Sequence, residues 1–549
     1  MGAMEDRMKV DPANNRVLPK GVSHGDFERA LKAFGGAIGD EWVVTSDPEL
    51  QNYRDPFAFA SADPNAFASA AVVKPASTDE VRAIVKIANE FKIPLWTISR
   101  GKNLGYGGPA PRVSGSVTID LGRMNRVLEL NEELCYAVVE PGVTFFDLYE
   151  EIRARKMKMW ISVPALGWGS VLGNALDRGL GYTPYGEHSN NLCGMEIVLP
   201  NGEMIRTGMG ALSCGNTWRL FKHGYGPSVD GLFMQSNFGI VTQAGVWLMP
   251  QPDFFIPCEV QFERESDLEQ IVDITARLRR EDIIQNTAVL SNAVRLISRL
   301  GARNQWYEGT GAVPNDVVQK KVREMGLKSW NLRFAMYGAE EVAAARVKIA
   351  QKAFAAIPDS RFTSRTFDAK SSSDEEFTAA IGTEAVQAGI PSIAAIGVVK
   401  YRGEDGGHIG FSPIVAASGK EAVKLADLVG GICHEHGFDY YGGFSFGVRH
   451  LWSVMMIMYD RQSEQDRVEV DRMFRRLVKE AGELGFAEYR AHVEYMDLVS
   501  DQYDFNGHAL RRFVETLKDA ADPNGIIAPG KQGVWPRAMR GNGNGRREP

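Results

Sequence analysis

The sequence predicts an α+β protein with more than one hydrophobic core, and three observations carry that prediction. The chain has 549 residues, well beyond the roughly 250–300 at which a single core stops growing. Its first half alternates short apolar strands with amphipathic helices around glycine-rich loops, and α/β proteins bind ligands where such loops leave the carboxyl ends of strands. Near Pro250-Gln-Pro252 the texture changes to longer amphipathic helices with weakly alternating strands between them. Glycine and proline return in Asp522-Pro-Asn-Gly-Ile-Ile-Ala-Pro-Gly-Lys531.

Taken in order, residues 1–24 read as a loose arm. Residues 70–73 read as a short strand. Ser77-Thr-Asp-Glu80 is a capping box, and Val81, Ile84, Val85, Ala88 and Phe91 follow at helical spacing. Residues 94–98 form a second strand, which delivers Ser99-Arg-Gly-Lys-Asn-Leu-Gly-Tyr-Gly-Gly108. Strands at 115–120 and 136–139 come next, and Glu140-Pro-Gly142 turns the chain into a helix at 144–154. Pro200-Asn-Gly-Glu203 closes a hairpin between 195–199 and 204–207. Beyond residue 252, helices at 266–280 and 340–356 and strands at 331–337 and 454–459 make a second α+β region. Residues 540–549 have the composition of a disordered tail.

Charge and cysteine content narrow the function classes. A net charge of −7 gives no reason to expect nucleic acid or an anionic membrane as partner. No apolar run reaches the roughly 20 residues of a membrane span; the longest, 451–459, reads as a buried strand. The polar N-terminus lacks a signal peptide's apolar core. The 5 scattered cysteines read as reduced thiols in a cytoplasmic protein.

The loop at 99–108 leaves backbone N–H groups uncovered, so they can close on a phosphate. It matches neither the P-loop nor the dinucleotide fingerprint, and a pyrophosphate cradle with a tyrosine inside it points to a flavin. Three other patterns compete for chemistry. Gly443-Phe-Ser-Phe-Gly447 matches a serine-hydrolase elbow, with Asp497 and His508 as partners, but the run after Ser445 is strand-like, not helical. His434-Glu-His436 reads as a helix end rather than a metal site, since no third ligand stands at useful spacing, and no metal is expected. Tyr489-Arg490 could hold an anionic oxygen if Tyr106 faced the same spot.

Together these segments resemble the vanillyl-alcohol oxidase / p-cresol methylhydroxylase flavoprotein family. The resemblance runs from about Pro19 to Trp535. Its most specific parts are Gly101-Lys-Asn-Leu-Gly-Tyr-Gly-Gly108, Gly181-Tyr-Thr-Pro-Tyr-Gly-Glu-His188, Arg206-Thr-Gly-Met-Gly210 and Asp522 to Lys531. Residues 213–252 look most like the methylhydroxylase branch. Gly406-Gly-His-Ile-Gly-Phe-Ser-Pro413 looks like the oxidase branch.

The resemblance implies a two-subdomain FAD-binding domain of the p-cresol methylhydroxylase type plus an α+β cap (substrate) domain. Residues 1–252 would begin the FAD domain, 253–486 form the cap, and 487–549 return to the FAD domain. It implies FAD, held by Ser99, Gly101, Lys102, Asn103, Leu104, Gly105, Pro164, Gly169, Ser170, Gly173, Asn174, Gly181, Gly239, Ile240, Val241 and Lys531. The substrate would be a para-substituted phenol, bound as phenolate by Tyr106, Tyr489 and Arg490. A hydride would leave its benzylic carbon and a p-quinone methide would form. O2 or a cytochrome c would take the electrons, and a homodimer is expected. His408 matches the residue that carries the flavin covalently in the oxidases; the methylhydroxylase's tyrosine would fall near Val399, which cannot form that bond.

Two positions depart from the family. Ser162 stands where the oxidases place an aspartate beside the flavin, and Ala395 replaces an acid expected on the cap strand before His408. A general base is typically worth about 10²–10⁴ in rate, so Glu187 and Glu404 are the nearby acids to consider. The shorter side chains imply a roomier pocket, suited to a bulky lignin-derived phenol.

Overall fold

The computed structural model describes residues 10–11, 16–58 and 65–540. The expected tail beyond residue 540 and most of the expected N-terminal arm lie outside the described residues.

The first sheet has four strands in the order Val43–Val44, Ala71–Val73, Val117–Asp120, Leu95–Ile98, the last three parallel. Helix Thr78–Phe91 forms because Ser77 accepts a hydrogen bond from the Glu80 amide and Val81, Ile84, Val85 and Ala88 share one buried face. The reciprocal half of the capping box differs from expectation, since the Glu80 carboxylate takes the amide of Ala76 instead. A second, antiparallel sheet of five strands follows in the order Met204–Arg206, Leu192–Val198, Ile240–Trp247, Tyr136–Val139, Val127–Asn131. Helix Phe145–Ala154 starts at a full capping box of Thr144 and Asp147.

From Phe254 onward the chain builds an eight-stranded sheet whose longest pairing joins Phe254–Phe262 to Trp330–Gly338. The apolar run at 451–459 is two strands, His450–Trp452 and Met455–Asp460. Among the described strands, Met455–Asp460 pairs with Gly406–Phe411 alone, as a separate ribbon. No helix among the described residues is long and apolar enough to cross a membrane.

The C-terminal segment comes back to the first sheet. The Leu95 amide donates to the Ile526 carbonyl at 2.6 Å, and the Ala528 amide to the Leu95 carbonyl at 2.8 Å. Behind this junction lies a fully buried ion pair: Lys518 Nζ donates to Asp522 at 2.7 Å, to the Asn237 carbonyl at 2.6 Å and to the Ile527 carbonyl at 2.8 Å. A buried ammonium is tolerated because all three of its donors are spent. Lys531 follows four residues after Ile527, whose carbonyl is one of those the clamp holds.

Candidate active site

Strand Leu95–Ile98 ends at the glycine loop, whose backbone enters the left-handed region at Gly101, Gly105, Gly107 and Gly108. Gly105 needs that freedom twice over: its φ is 79°, and a Cβ there would lie 2.4 Å from His408 Nε2. A cleft runs along the loop. Its walls are formed by Ser99, Gly101, Lys102 and Asn103, by Gly169, Ser170, Gly173 and Asn174, by Gly239, Ile240 and Val241, and by Lys531, with Tyr106 and Arg490 at its edge. Leu104, Gly105, Pro164, Gly181, Ser162, Tyr489 and His408 are not among these walls. His408 touches the loop through Gly105, and Tyr489 adjoins Arg490.

The cleft fits FAD. Its glycines leave backbone amides uncovered for a pyrophosphate, and Lys102 and Arg100 add positive charge to the wall. His408 Nδ1 is enclosed and reaches no hydrogen-bond partner among the described residues. Burial pushes the His408 pKa down to about 4, so the imidazole is neutral and keeps a free lone pair. Phe57 packs 5.1 Å from its ring, and the buried His492–Asp55 pair, at 2.8 Å, lies close by.

Tyr106 and Arg490 meet although 384 positions separate them in sequence: the guanidinium carbon sits 4.2 Å from the Tyr106 ring centroid and 6.0 Å from that of Tyr489. Burial pushes the Tyr106 pKa up to about 12, only partly offset by Arg490, so Tyr106 is a proton donor at neutral pH. The neighbouring phenols raise the Arg490 pKa further and hold it cationic. Two donors and a fixed cation at one place are what a phenolate oxygen requires, since a free phenol has a pKa near 10.

Several partners of this cluster were not singled out in the sequence. Ser412 Oγ lies 3.0 Å from the Tyr106 hydroxyl. It was findable, because Ser412 continues the alternation of His408 and Gly410 just past the end of the strand Gly406–Phe411. Arg490 donates to Asn103 Oδ1 at 2.6 Å, Asn103 donates to Asp177 at 3.2 Å, and Lys531 lies 3.6 Å from Asp177. Asp177 thus joins the lysine beside the cofactor cleft to the arginine. Glu488, next to Tyr489, is buried, with the Ser412 backbone and Arg490 as the polar groups nearest its carboxyl. Burial holds its carboxyl well above the usual range, outweighing the pull of Arg490.

Ser162 stands apart from this cluster, with His188 in a separate cavity of about 20 Å³. His188 shares a hydrogen bond of 2.6 Å with Asn174 Oδ1, and burial pushes its pKa down to about 4. Gly181 packs on both, a Cβ there falling 2.3 Å from Ser162 Oγ. Ala395 sits in the 3₁₀ segment Ala394–Tyr401, not on a strand as expected. Glu404 is 75% exposed and pairs with Lys400. Ser445 lies inside a strand followed by a hairpin, so the elbow geometry is absent, and Asp497 is committed to Arg112 and the Trp535 indole, each at 2.8 Å. His436 caps the helix Gly419–Glu435 and binds Glu469 at 3.0 Å.

Comparison with known proteins agrees with this geometry. Residues 69–208 match the FAD binding domain family, and residues 335–532 match the C-terminal domain of FAD linked oxidases. The chain is 37% identical to the 4-cresol dehydrogenase [hydroxylating] flavoprotein subunit of Pseudomonas putida, over 95% of this chain and 98% of that protein. The structure of 4-ethylphenol oxidase from Gulosibacter chungangensis superposes with a TM-score of 0.90 at 38% identity, covering 95% of this chain and 100% of that one. That of p-cresol methylhydroxylase gives 0.89 at 36% identity, covering 94% and 99%. The chain therefore belongs to the vanillyl-alcohol oxidase / p-cresol methylhydroxylase family of FAD-linked enzymes.

Proposed function

We propose that the protein oxidises para-substituted phenols at the benzylic carbon, with O2 as electron acceptor. The observation that carries this reading is Arg490 packed against Tyr106 and beside Tyr489 at the edge of the flavin cleft. Tyr106, Tyr489 and Arg490 bind the substrate oxygen and stabilise it as phenolate, which pushes electron density toward the para carbon. FAD, when bound, supplies the acceptor for the hydride that leaves. The resulting p-quinone methide then adds water or loses a proton. Similarity to 4-ethylphenol oxidase favours O2; similarity to 4-cresol dehydrogenase favours the second reading, electron transfer to a separate cytochrome c.

His408 is the proposed attachment point of a covalent flavin, supported by its neutral, unpartnered Nδ1 and by Val399 at the alternative position. With Ala395 in place of an acid of the family, bulky lignin-derived phenols should outperform p-cresol, each added buried CH₂ being worth about 0.8 kcal/mol.

Anaerobic mixing of the holoenzyme with para-substituted phenols of increasing size tests the reading. Flavin bleaching that grows faster with substituent size, followed by O2 consumption on aeration, is the expected result. No bleaching by any para-substituted phenol would overturn it. Cytochrome c reduction without O2 uptake would select the second acceptor.

A further inference from the structure

Arg295 is a half-buried cation that the proposed chemistry does not use. It lies on the short helix Ala293–Ile297, whose N-cap Asn292 accepts a hydrogen bond from the Arg295 amide. Its Nε and Nη1 are enclosed, and neither reaches a hydrogen-bond partner among the described residues. The guanidinium faces the Tyr441 ring at 5.4 Å, a contact that leaves its in-plane N–H donors free.

The surrounding charges do not answer it. Arg299 and Arg333 both pair with Glu384, and Arg333 also reaches Glu259 at 3.4 Å. The acids are thus spent on the other two arginines, and the neighbourhood has one cation to spare. Enclosed guanidinium donors with no acceptor are costly unless a ligand completes them.

The fold brings this cation toward the substrate. Gly410 lies against the Tyr106 hydroxyl, where a Cβ would fall 2.6 Å from it. The cross-strand partners of Gly410 and His408 are Met456 and Met458, and directly paired residues point to the same face. Met458 packs in one cluster with Val294, Ile297 and Tyr441, and Met456 packs against it. One layer of methionine therefore separates the Tyr106 face from the helix that carries Arg295. Tyr182, which follows Gly181, lies within the electrostatic reach of both Arg295 and Tyr441.

We propose that Arg295 binds a carboxylate at the end of the substrate's para side chain, so that the preferred substrates are 4-hydroxyphenyl acids rather than plain alkylphenols. This rests on the phenol-oxidation reading above and adds a second point of recognition to it. The phenolate is held at one end by Tyr106, Tyr489 and Arg490. The side chain would run past Met456 and Met458, and a guanidinium fork, suited to planar carboxylates, would close the other end.

The test compares kcat/KM for 3-(4-hydroxyphenyl)propanoate and 4-propylphenol, which share a three-carbon side chain, using wild-type, Arg295→Met and Arg295→Lys holoenzymes. The wild type should favour the acid. The acid-to-alkyl ratio should fall by about 100-fold in Arg295→Met, as expected for losing one partner of a buried charged contact. Arg295→Lys keeps the charge but not the fork, so its ratio should lie between the two; it also serves if the Met variant does not fold. A wild type that disfavours the acid, or a ratio indifferent to Arg295, overturns the assignment. If 4-propylphenol is turned over but the ratio does not respond, only the role of Arg295 falls. If neither phenol reduces the flavin, the phenol-oxidation reading falls as well.

Discussion

The cofactor cleft and the tyrosine–arginine cluster at its edge are built in opposite ways. The cleft is made largely of contiguous pieces of chain, Ser99 to Asn103, Gly169 to Asn174 and Gly239 to Val241, and its glycine-rich walls present backbone. The cluster is made of side chains from distant places: Tyr106 from the loop, Ser412 from just after the strand Gly406–Phe411, Arg490 from the C-terminal part. A backbone cradle tolerates the loss of any one side chain, whereas a side-chain cluster concentrates its energy in a few groups. Substitutions in the cluster should therefore cost rate and leave flavin content intact.

The largest effect should come from Arg490→Ala. The charge on the phenolate oxygen persists until the hydride leaves, and losing one donor aimed at such charge typically costs about 10²–10³ in rate. Stopped-flow flavin reduction under anaerobic conditions measures it. Unchanged rates would remove Arg490 from the chemistry, and loss of flavin instead of rate would erase the contrast between cleft and cluster.

A smaller effect is expected for Ser412→Ala. It removes the one described hydrogen bond of the Tyr106 hydroxyl, which at a net of about 0.5–1.5 kcal/mol corresponds to roughly a 2- to 10-fold loss. The same experiment reads it. A loss as large as that of Arg490→Ala would mean that Ser412 contributes more than the placement of Tyr106.

The subtlest effect is on stability. In the folded protein Glu488 keeps its proton above the usual carboxylate range because it is buried. Below about pH 4.3 folded and unfolded chains both carry that proton. As pH rises the unfolded chain releases it first, so the stability contributed by Glu488 is lost toward the folded pKa. Glu488→Gln removes this dependence. Its melting temperature relative to wild type should climb by a few degrees from pH 5 to pH 8. A constant difference across that range would show that the carboxyl ionises normally.

The same contrast decides what could be read in advance. Backbone cradles are local, so the loop at 99–108 and the strand that delivers it were legible from glycine spacing and periodicity. The helix at 78–91 was legible from Ser77 and its apolar face. Tyr489-Arg490 stood out only as a pair, because nothing local reveals that Tyr106 lies beneath the guanidinium. Asp177 gave no signal at all: its partners Asn103 and Lys531 come from either side of it at long range. Ala395 was expected on a strand, yet local sequence cannot show that residues 394–401 wind into a 3₁₀ segment before the ribbon at His408 begins.

The buried Lys518 clamp bears on when the protein can acquire its cofactor during synthesis. The glycine loop leaves the ribosome early, but Asn103 waits for Arg490, 387 residues later. Lys531 and the Lys518 ammonium that holds the Asn237 and Ile527 carbonyls come later still. A nascent chain therefore holds half a cleft for most of its time in translation. The cleft is complete only once Arg490 and Lys531 have been made, and a chain truncated before Lys518 would keep the motif that most clearly announces a flavin while lacking part of the wall that would hold one.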